Sequence, residues 1–304
     1  MSEGPRNVPG MDDAFAAADL FVLRQGRLLE RRLFATWFLG QPASAVVDAL
    51  RGYQNDDGGF GHGLEPDKRC PASLPIDVEI AFQAMAAAGA ADAAMVARAC
   101  DFLGRAAALA EAGGAVPLAF PVIEAFPRAV HWSDWTYRPG LNPTAGLAGL
   151  LHQLGVDHPW LADATAYCWE QLESGARIRD AHELSEVFVF LEHVPDRERA
   201  GKHGAALADT LADVAMFHLD PAAEGYGLTP LQLAPEPGSR SRALFDDALI
   251  EAHLDKLASS QQPDGGWPIS WEPPSEASRL EWRGIVTLQA LRTLTAYGRL
   301  AVTP

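Results

Sequence analysis

Two stretches of the chain share one short pattern, and this internal repeat restricts the possible folds more than any other feature of the sequence. The first copy lies within residues 53–85 and the second within residues 260–291. Without a gap, the two copies align Gln54 with Gln261, Asp57 with Asp264, Gly58-Gly59 with Gly265-Gly266, Phe60 with Trp267, and Glu65-Pro66 with Glu272-Pro273. Such repetition predicts a fold built from similar helical units that pack side by side.

The shared motif has the composition of a turn. A Gly pair permits backbone angles that other residues tolerate poorly, Asp and Gln side chains hydrogen-bond exposed helix ends, and an aromatic residue packs on a neighbouring unit. We therefore interpret both copies as structural turns that join two helices. The first copy leads into a helix at Pro75, whose start carries the carboxyl groups of Asp77 and Glu79.

Apolar residues recur every three to four positions along most of the chain, and no stretch sustains a period of two. This pattern predicts an all-α fold. The predicted helices cover residues 12–39 with a division at Gly26, 42–54, 75–88, 91–110, 142–154, 159–174, 180–193, 195–217, 241–261 and 275–298. The irregular stretch 113–139 is too long for a simple connection, which favours a functional or gating loop.

We expect these helices to form a single α/α toroid of five to six helical pairs over residues 1–304, with residues 1–10 as a flexible tail. The helices that begin near Pro75, Asn142, Asp180 and Arg283 are more apolar than their partners, as the members of an inner ring must be. In a toroid, the residues that open the inner helices converge around a central cavity, which is a natural place for a ligand.

The composition narrows the classes of partner and cofactor. A net charge of −16 argues against nucleic acid and anionic membranes. No apolar run reaches the about 18 residues of a membrane span, and the N-terminus lacks a signal-peptide pattern, so we expect a cytoplasmic protein without a transmembrane segment. Cys70, Cys100 and Cys168 share no CxxC spacing, and His182-Glu183 lacks the second His of an HExxH helix, so we predict no metal and no cofactor.

The segments Gln54–Phe60 and Gln261–Trp267 resemble the QW repeats of squalene and oxidosqualene cyclases. Related helical pairs occur in class II diterpene cyclases and in the β subunits of protein prenyltransferases. The resemblance covers most of the chain but only one domain of the two-domain cyclases. It implies an α/α toroid and a hydrophobic, isoprenoid-type substrate, whereas the repeats alone indicate a fold and not a chemistry.

In the class II cyclases, the middle Asp of a DxDD motif at the start of an inner helix protonates an alkene or epoxide. The matching position here reads Asp77-Val78-Glu79-Ile80. The resemblance implies that Glu79 is the proton donor and that Asp77 matches the first Asp, with Ile80 in place of the last. The residues alone leave two interpretations open, because acidic residues in a first helical turn are also favoured by the helix dipole.

One loop, around residues 131–137, concentrates chemically active side chains: His131, Trp132, Asp134, Trp135 and Tyr137. Aromatic faces stabilise a carbocation through cation–π attraction, and they also stack on sugar rings. A loop that packs without any ligand is the alternative. The openings of other predicted inner helices and the second repeat add further candidates for substrate contact: Asn142, His182, Trp271, Trp282 and Arg283.

These features support three hypotheses. In the first, a terpene-cyclase-like or prenyl-binding enzyme uses Glu79, or alternatively Asp77 or Asp134, to protonate an isoprenoid without a metal, and the aromatic residues line the path of the cation. In the second, two carboxylates about 5 to 9.5 Å apart flank a glycosidic bond, because α/α toroids also host glycosidases and polysaccharide lyases. In the third, the protein binds a ligand without catalysis, which Ile80 favours. An apolar, aromatic cavity wall would indicate an isoprenoid, and several polar groups a sugar.

Overall fold

The computed structural model describes residues 11–175 and 177–301, and this part of the chain is all-α, as predicted. The expected tail at residues 1–10 lies outside the described residues. The α-helices are α1 Met11–Gln25, α2 Leu28–Phe38, α3 Ser44–Leu50, α4 Pro75–Ala88, α5 Ala93–Ala110, α6 Leu141–Gln153, α7 Pro159–Glu173, α8 Ala181–His193, α9 Arg197–Ala208, α10 Pro230–Leu233, α11 Asp247–Ser259 and α12 Glu276–Ala296. No helix among the described residues is long and apolar enough to cross a membrane.

Helix α6 lies at the centre of the packing and contacts α4, α7 and α8. Gly149 explains its close approach to α8, since a Cβ atom at this position would lie 2.5 Å from the backbone oxygen of Val189. Further contacts link α2 with α4 and α12, and α12 also packs against α1. The first and last helices of the described chain are therefore neighbours.

The first copy of the repeated motif forms a turn that is fastened to the next helix. The Gln54 Nε2 atom donates to the carbonyl oxygens of Gly58 and of Met95 in α5, at 2.9 Å each. The Asp57 carboxylate accepts the backbone N–H of Gly59 at 3.0 Å. Gly58 has φ +92°, a left-handed conformation that favours glycine. The turn thus joins α3 to α4 while it docks on α5.

The second copy repeats this geometry with α1 as its partner. Gln261 Nε2 donates to the oxygens of Gly265 and Ala14, at 2.9 and 2.8 Å. Asp264 accepts the Gly266 N–H at 3.1 Å, and Gly265 has φ +93°. The structural role predicted for the motif is confirmed in both copies. The second copy therefore docks on α1 in the way that the first copy docks on α5.

The irregular stretch 113–139 packs against the loop that precedes α4. Backbone hydrogen bonds join Arg69 to Pro127 and Ala129 to Asp67, at 2.9 and 2.8 Å. A small apolar core forms between the two segments and contains Cys70, Leu74, Leu118, Ala119, Ile123, Ala129 and Trp132. This packing holds Asp67 and His131 beside each other.

Candidate functional site

A fully buried lysine organises the loop in front of α4. Lys68 Nζ lies 3.2 Å from the Glu65 carboxylate and 3.0 Å from that of Asp77. Asp77 also accepts the backbone N–H of Glu65 at 2.7 Å. Burial raises the pKa of both carboxyl groups, that of Glu65 to about 7, and the Lys68 charge opposes the rise. Asp77, a candidate catalytic residue in the sequence, is therefore committed to a buried ion-pair network, the Lys68 network (Glu65, Lys68, Asp77).

Trp132 covers this network. Its indole ring lies 5.2 Å from Lys68 Nζ, which is within the range of a cation–π contact. The side chain belongs to the small apolar core and is only 6% exposed. Trp132 thus packs against the loop that carries Lys68, and its side chain is not accessible at an open surface.

Two residues along α4 from Asp77, Glu79 meets a second glutamate that the sequence alone did not single out. Glu79 is buried, and its carboxyl group lies beside that of Glu186 in α8, close enough for each to shift the pKa of the other. A Cβ atom at Gly146 of α6 would lie 1.5 Å from Glu186 Oε2 and 3.1 Å from Glu79 Oε1. The lack of a side chain at Gly146 therefore leaves the space in which the two carboxyl groups meet.

The Glu79–Glu186 pair retains a proton near neutral pH. Burial raises the pKa of Glu79 to about 7, while its hydrogen bonds with Glu186 and Gln83 oppose the rise. Burial and the charge of Glu79 both hold the pKa of Glu186 well above its usual range. Two carboxyl groups form a hydrogen bond only when one of them is protonated. Each residue also has a buried Oε2 atom without a protein hydrogen-bond partner. The pair is thus a buried acid with unused hydrogen-bonding capacity.

Asp67 forms the centre of a second group. Trp271 Nε1 donates to Asp67 Oδ2 at 3.1 Å, and His131 Nε2 lies 3.6 Å from the same oxygen. The indole N–H of Trp282 also faces this carboxylate and lowers its pKa, although neither Trp282 Nε1 nor Asp67 Oδ1 completes a hydrogen bond. Asp67 is only 3% exposed, and this burial dominates, so its pKa is raised.

Aromatic rings extend from Asp67 toward α8. Trp271 and Trp282 meet at 82° with centroids 5.1 Å apart, and Tyr226 meets Trp271 at 81° and 5.4 Å. His182 stacks on Tyr226, and His182 Nε2 lies 2.7 Å from the Tyr226 hydroxyl. Burial raises the pKa of Tyr226 to about 12, so its hydroxyl stays protonated. We name this group the Asp67 cluster (Asp67, His131, His182, Tyr226, Trp271, Trp282).

Helix α8 connects the Asp67 cluster to the acid pair. The Asp180 side chain caps α8 by accepting the backbone N–H groups of His182 and Glu183. His182 and Glu186 are four residues apart, so their side chains share one face of the helix. This spacing is the signal by which Glu186 could have been found in the sequence.

Of the sequence candidates, the structure gathers His131, His182, Trp271 and Trp282 in the Asp67 cluster and Glu79 in the acid pair. Asp134 and Trp135 are exposed, and Trp135 Nε1 donates to the backbone oxygen of His131. The Tyr137 hydroxyl bonds to Glu124. These three residues of the loop are not joined to the cluster by their side chains.

The two remaining candidates are tied to the backbone scaffold. Arg283 binds Asp264 of the second motif through two 2.7 Å contacts and lies over the ring of Phe21. Asn142 has non-helical angles, φ −94° and ψ 114°, directly ahead of the regular turns of α6. Both residues therefore have positions that suit a structural role.

The described residues contain no group of three or more His, Cys, Asp or Glu side chains that could hold a metal ion. No protein-family model matches the chain, and a comparison with curated proteins gives no match. The interpretation of the site consequently rests on its own geometry.

Proposed function

We propose that the chain is an α/α toroid and an acid–base enzyme that protonates an isoprenoid-type substrate. The toroid is supported by the packing of α12 against α1 and α2 and by the second repeated motif, which docks on α1 as the first docks on α5. In this arrangement α2, α4, α6, α8 and α12 are the inner helices. The Glu79–Glu186 pair then lies on their inner side.

The observation that carries the proposal is the buried carboxyl pair. A carboxyl group that keeps its proton near neutral pH is able to donate it. Transfer from Glu79 to an alkene carbon forms a C–H bond and a carbocation, and the new carboxylate is stabilised by the Glu186 hydrogen bond and by Gln83 Nε2, 2.9 Å from Glu79 Oε1. The π electrons of a second double bond then attack the cation and close a ring, and the resulting cation returns a proton to the Glu79 carboxylate, so the overall reaction is an isomerisation.

Glu186 also supplies the second carboxyl group that Ile80 lacks. Ile80 occupies the position at which the related cyclases have the last Asp, and the second carboxyl group comes here from a different helix, α8. A partner acid on α8 takes the place of that Asp. A hydrogen bond from the partner orients the proton donor and stabilises the carboxylate that remains after proton transfer.

The Asp67 cluster fits a substrate that develops positive charge. Half-buried rings of Trp271, Trp282 and Tyr226 offer electron-rich faces, and the Asp67 carboxylate adds a negative charge. His182 and Glu186 share a face of α8, so the cluster and the proton donor border the same side of that helix.

A carbohydrate-active enzyme is the second candidate, because the Asp67 cluster combines polar groups with indole rings. The acid pair does not favour it. Carboxyl groups that act on a glycosidic bond stand about 5 to 9.5 Å apart. Glu186 Oε2 and Glu79 Oε1 lie 1.5 and 3.1 Å from the same point, the position of a Cβ atom at Gly146, so the two groups are too close for a sugar to enter between them.

The test is product formation from linear isoprenoids and prenylated aromatics without added metal. Mass spectrometry should detect cyclised isomers of unchanged mass with the native protein, and Glu79→Gln should reduce their rate at least about a hundredfold, as expected for loss of a general acid. Glu186→Gln should leave a smaller, pH-shifted activity.

The matched control is Glu170→Gln, which changes an exposed glutamate of α7 in the same way. All variants are compared at equal folded fraction by circular dichroism. Products that persist in Glu79→Gln, or a native protein that turns over oligosaccharides and no isoprenoid, would contradict the proposal.

A further inference from the structure

The Asp67 carboxylate has an unusual electrostatic position. It is almost completely buried, and its Oδ1 atom has no protein hydrogen-bond partner. The two strong cations that follow it in sequence have other partners. Lys68 pairs with Glu65 and Asp77, and Arg69 binds Glu281 at 2.9 Å. The negative charge of Asp67 is therefore not matched by a direct protein ion pair with either cation.

His131, which lies beside Asp67 Oδ2, does not supply the missing charge at neutral pH. His131 Nε2 is 3.6 Å away, and burial together with the nearby His182 lowers the pKa of His131 below its usual value. A neutral imidazole does not form an ion pair. The desolvated carboxylate thus remains in need of a positive partner.

The walls around this carboxylate are aromatic. Trp271 and Trp282 stand at 82° to each other, and Tyr226 stands at 81° to Trp271. Rings at right angles form a corner, and a cation in such a corner is attracted by the electron-rich ring faces and not by the positive ring edges. All three rings are half-buried, so part of each ring is accessible to solvent.

We propose that the Asp67 cluster is a binding site for the ammonium group of a small organic cation, with methylated amines as the preferred class. Asp67 provides the opposite charge, and Trp271, Trp282 and Tyr226 provide cation–π contacts. Methylated ammonium groups suit aromatic walls better than hydrated metal ions do, because their methyl groups are apolar while the charge is retained.

This inference goes beyond the proposed reaction, since it requires no proton from Glu79. A neutral ligand of the same shape would fill the corner but would leave the Asp67 charge uncompensated. Discrimination between a cation and its neutral isostere is therefore the property that identifies the site.

The experiment is isothermal titration calorimetry of the full chain with choline and with 3,3-dimethylbutan-1-ol, which replaces the nitrogen of choline by carbon. Choline should bind, and the neutral alcohol should bind at least about tenfold more weakly. Asp67→Asn keeps the shape and removes the charge, so it should weaken choline binding by about tenfold or more. Trp271→Leu should weaken binding as well.

Two controls separate this site from other effects. Glu224→Gln removes an exposed negative charge two residues from Tyr226 and should leave choline binding unchanged, which excludes general attraction to an acidic protein. Glu79→Gln should keep choline binding although it strongly reduces the proposed turnover. Failure of one proposal is thus distinguishable from failure of the other.

Equal binding of choline and its neutral isostere would overturn the inference, because the corner would then recognise only shape. So would unchanged choline binding in a folded Asp67→Asn variant. No binding of choline or tetramethylammonium at millimolar concentration would overturn it too.

Discussion

Glu79 and Glu186 share a buried space in which two negative charges cannot be solvated, and the cost of ionisation affects the stability of the whole chain. Burial raises the pKa of Glu79 from 4.5 to about 7. Between these values the folded protein holds a proton that the unfolded chain has released. Stability therefore falls as pH rises through this window, and it levels off above the folded pKa.

The size of this effect gives a prediction for Glu79→Gln. At about 1.4 kcal/mol per pKa unit, the raised pKa of Glu79 makes the native protein lose about 3 kcal/mol between pH 4.5 and 7. Gln does not ionise, so the variant should gain stability relative to the native protein as pH rises. Urea unfolding of both proteins from pH 4.5 to 8.5 measures this difference.

Groups outside the acid pair with raised pKa, such as Glu65, titrate in both proteins and cancel in the comparison. Glu170→Gln makes the same chemical change at an exposed site and is the matched control. A stability difference for Glu79→Gln that stays constant over the whole range would mean that Glu79 is ionised in the folded protein like an ordinary surface glutamate.

At the same scale, the sequence revealed only half of the acid pair. Glu79 could be predicted from its position behind Pro75 and from the resemblance to the cyclases. Glu186 carries no local signal except its spacing of four from His182, because its partner lies about a hundred residues earlier in another helix. The burial of Lys68 was equally invisible, since a lysine in a loop is ordinarily exposed.

Among the helices, α6 depends on small residues for its packing. The sequence predicted that the helix beginning near Asn142 would be one of the more apolar, enclosed helices, and most residues of α6 are buried. Gly149 faces the backbone of α8, with Val189 O 2.5 Å and Phe190 N 2.7 Å from the position of an added Cβ atom. Backbone atoms at this distance do not move aside as a flexible side chain can.

We therefore predict that Gly149→Ala destabilises the protein although alanine is the better helix former. The added methyl group forces α6 and α8 apart, which should cost about 1 to 3 kcal/mol after the gain in helix propensity. Urea unfolding measures the free energy. The matched control is Gly204→Ala inside α9, where nothing lies within 4 Å and the same change should stabilise by about 0.5 to 1 kcal/mol.

A stabilising Gly149→Ala would show that α6 and α8 are not in tight contact. The same variant should also reduce any turnover, because the helices whose separation changes carry Glu186 and flank the space beside Gly146. Gly204→Ala should leave turnover unchanged, since α9 contributes no residue to the acid pair or to the Asp67 cluster.

Helix boundaries followed local chemistry where a cap or a proline was present. Pro75 opens α4 and Gly89 ends it with φ +66°, as predicted. The predicted helix 195–217 ends earlier, at Ala208. Beyond that point Leu211, Val214 and Phe217 recur every three residues, and the chain forms a short 3₁₀ turn at Leu211–Asp213. A period of three fits a 3₁₀ turn and not an α-helix, so the predicted helix was too long at its C-terminal end.

At the scale of the whole molecule, the repeated motif links distant parts of the chain. The first copy bonds to α5, which lies close to it in sequence, and the second bonds to α1, which lies at the opposite end of the chain. The sequence contained both copies but not their partners, because Ala14 and Met95 contribute only backbone oxygens. If the helices close into a toroid, the two turns should contribute equally to the stability of the fold.

This equivalence can be measured by Gly58→Ala and Gly265→Ala. Each glycine has positive φ, and a Cβ atom would lie 2.4 Å from Arg98 O or 2.1 Å from Ala17 O, respectively. Strain and overpacking should each contribute, so both variants should lose at least about 2 kcal/mol by urea unfolding, in a single transition.

Gly89→Ala is the control. Gly89 has positive φ but no atom within 4 Å of an added Cβ, so this variant should lose only about 1 kcal/mol. Gly265→Ala could lose as little unfolding free energy as this control while Gly58→Ala loses much more. In that case α1 detaches without destabilising the other helices, and the ring is not closed. Similar losses in both copies would instead mean that separation of the chain ends disrupts the whole fold.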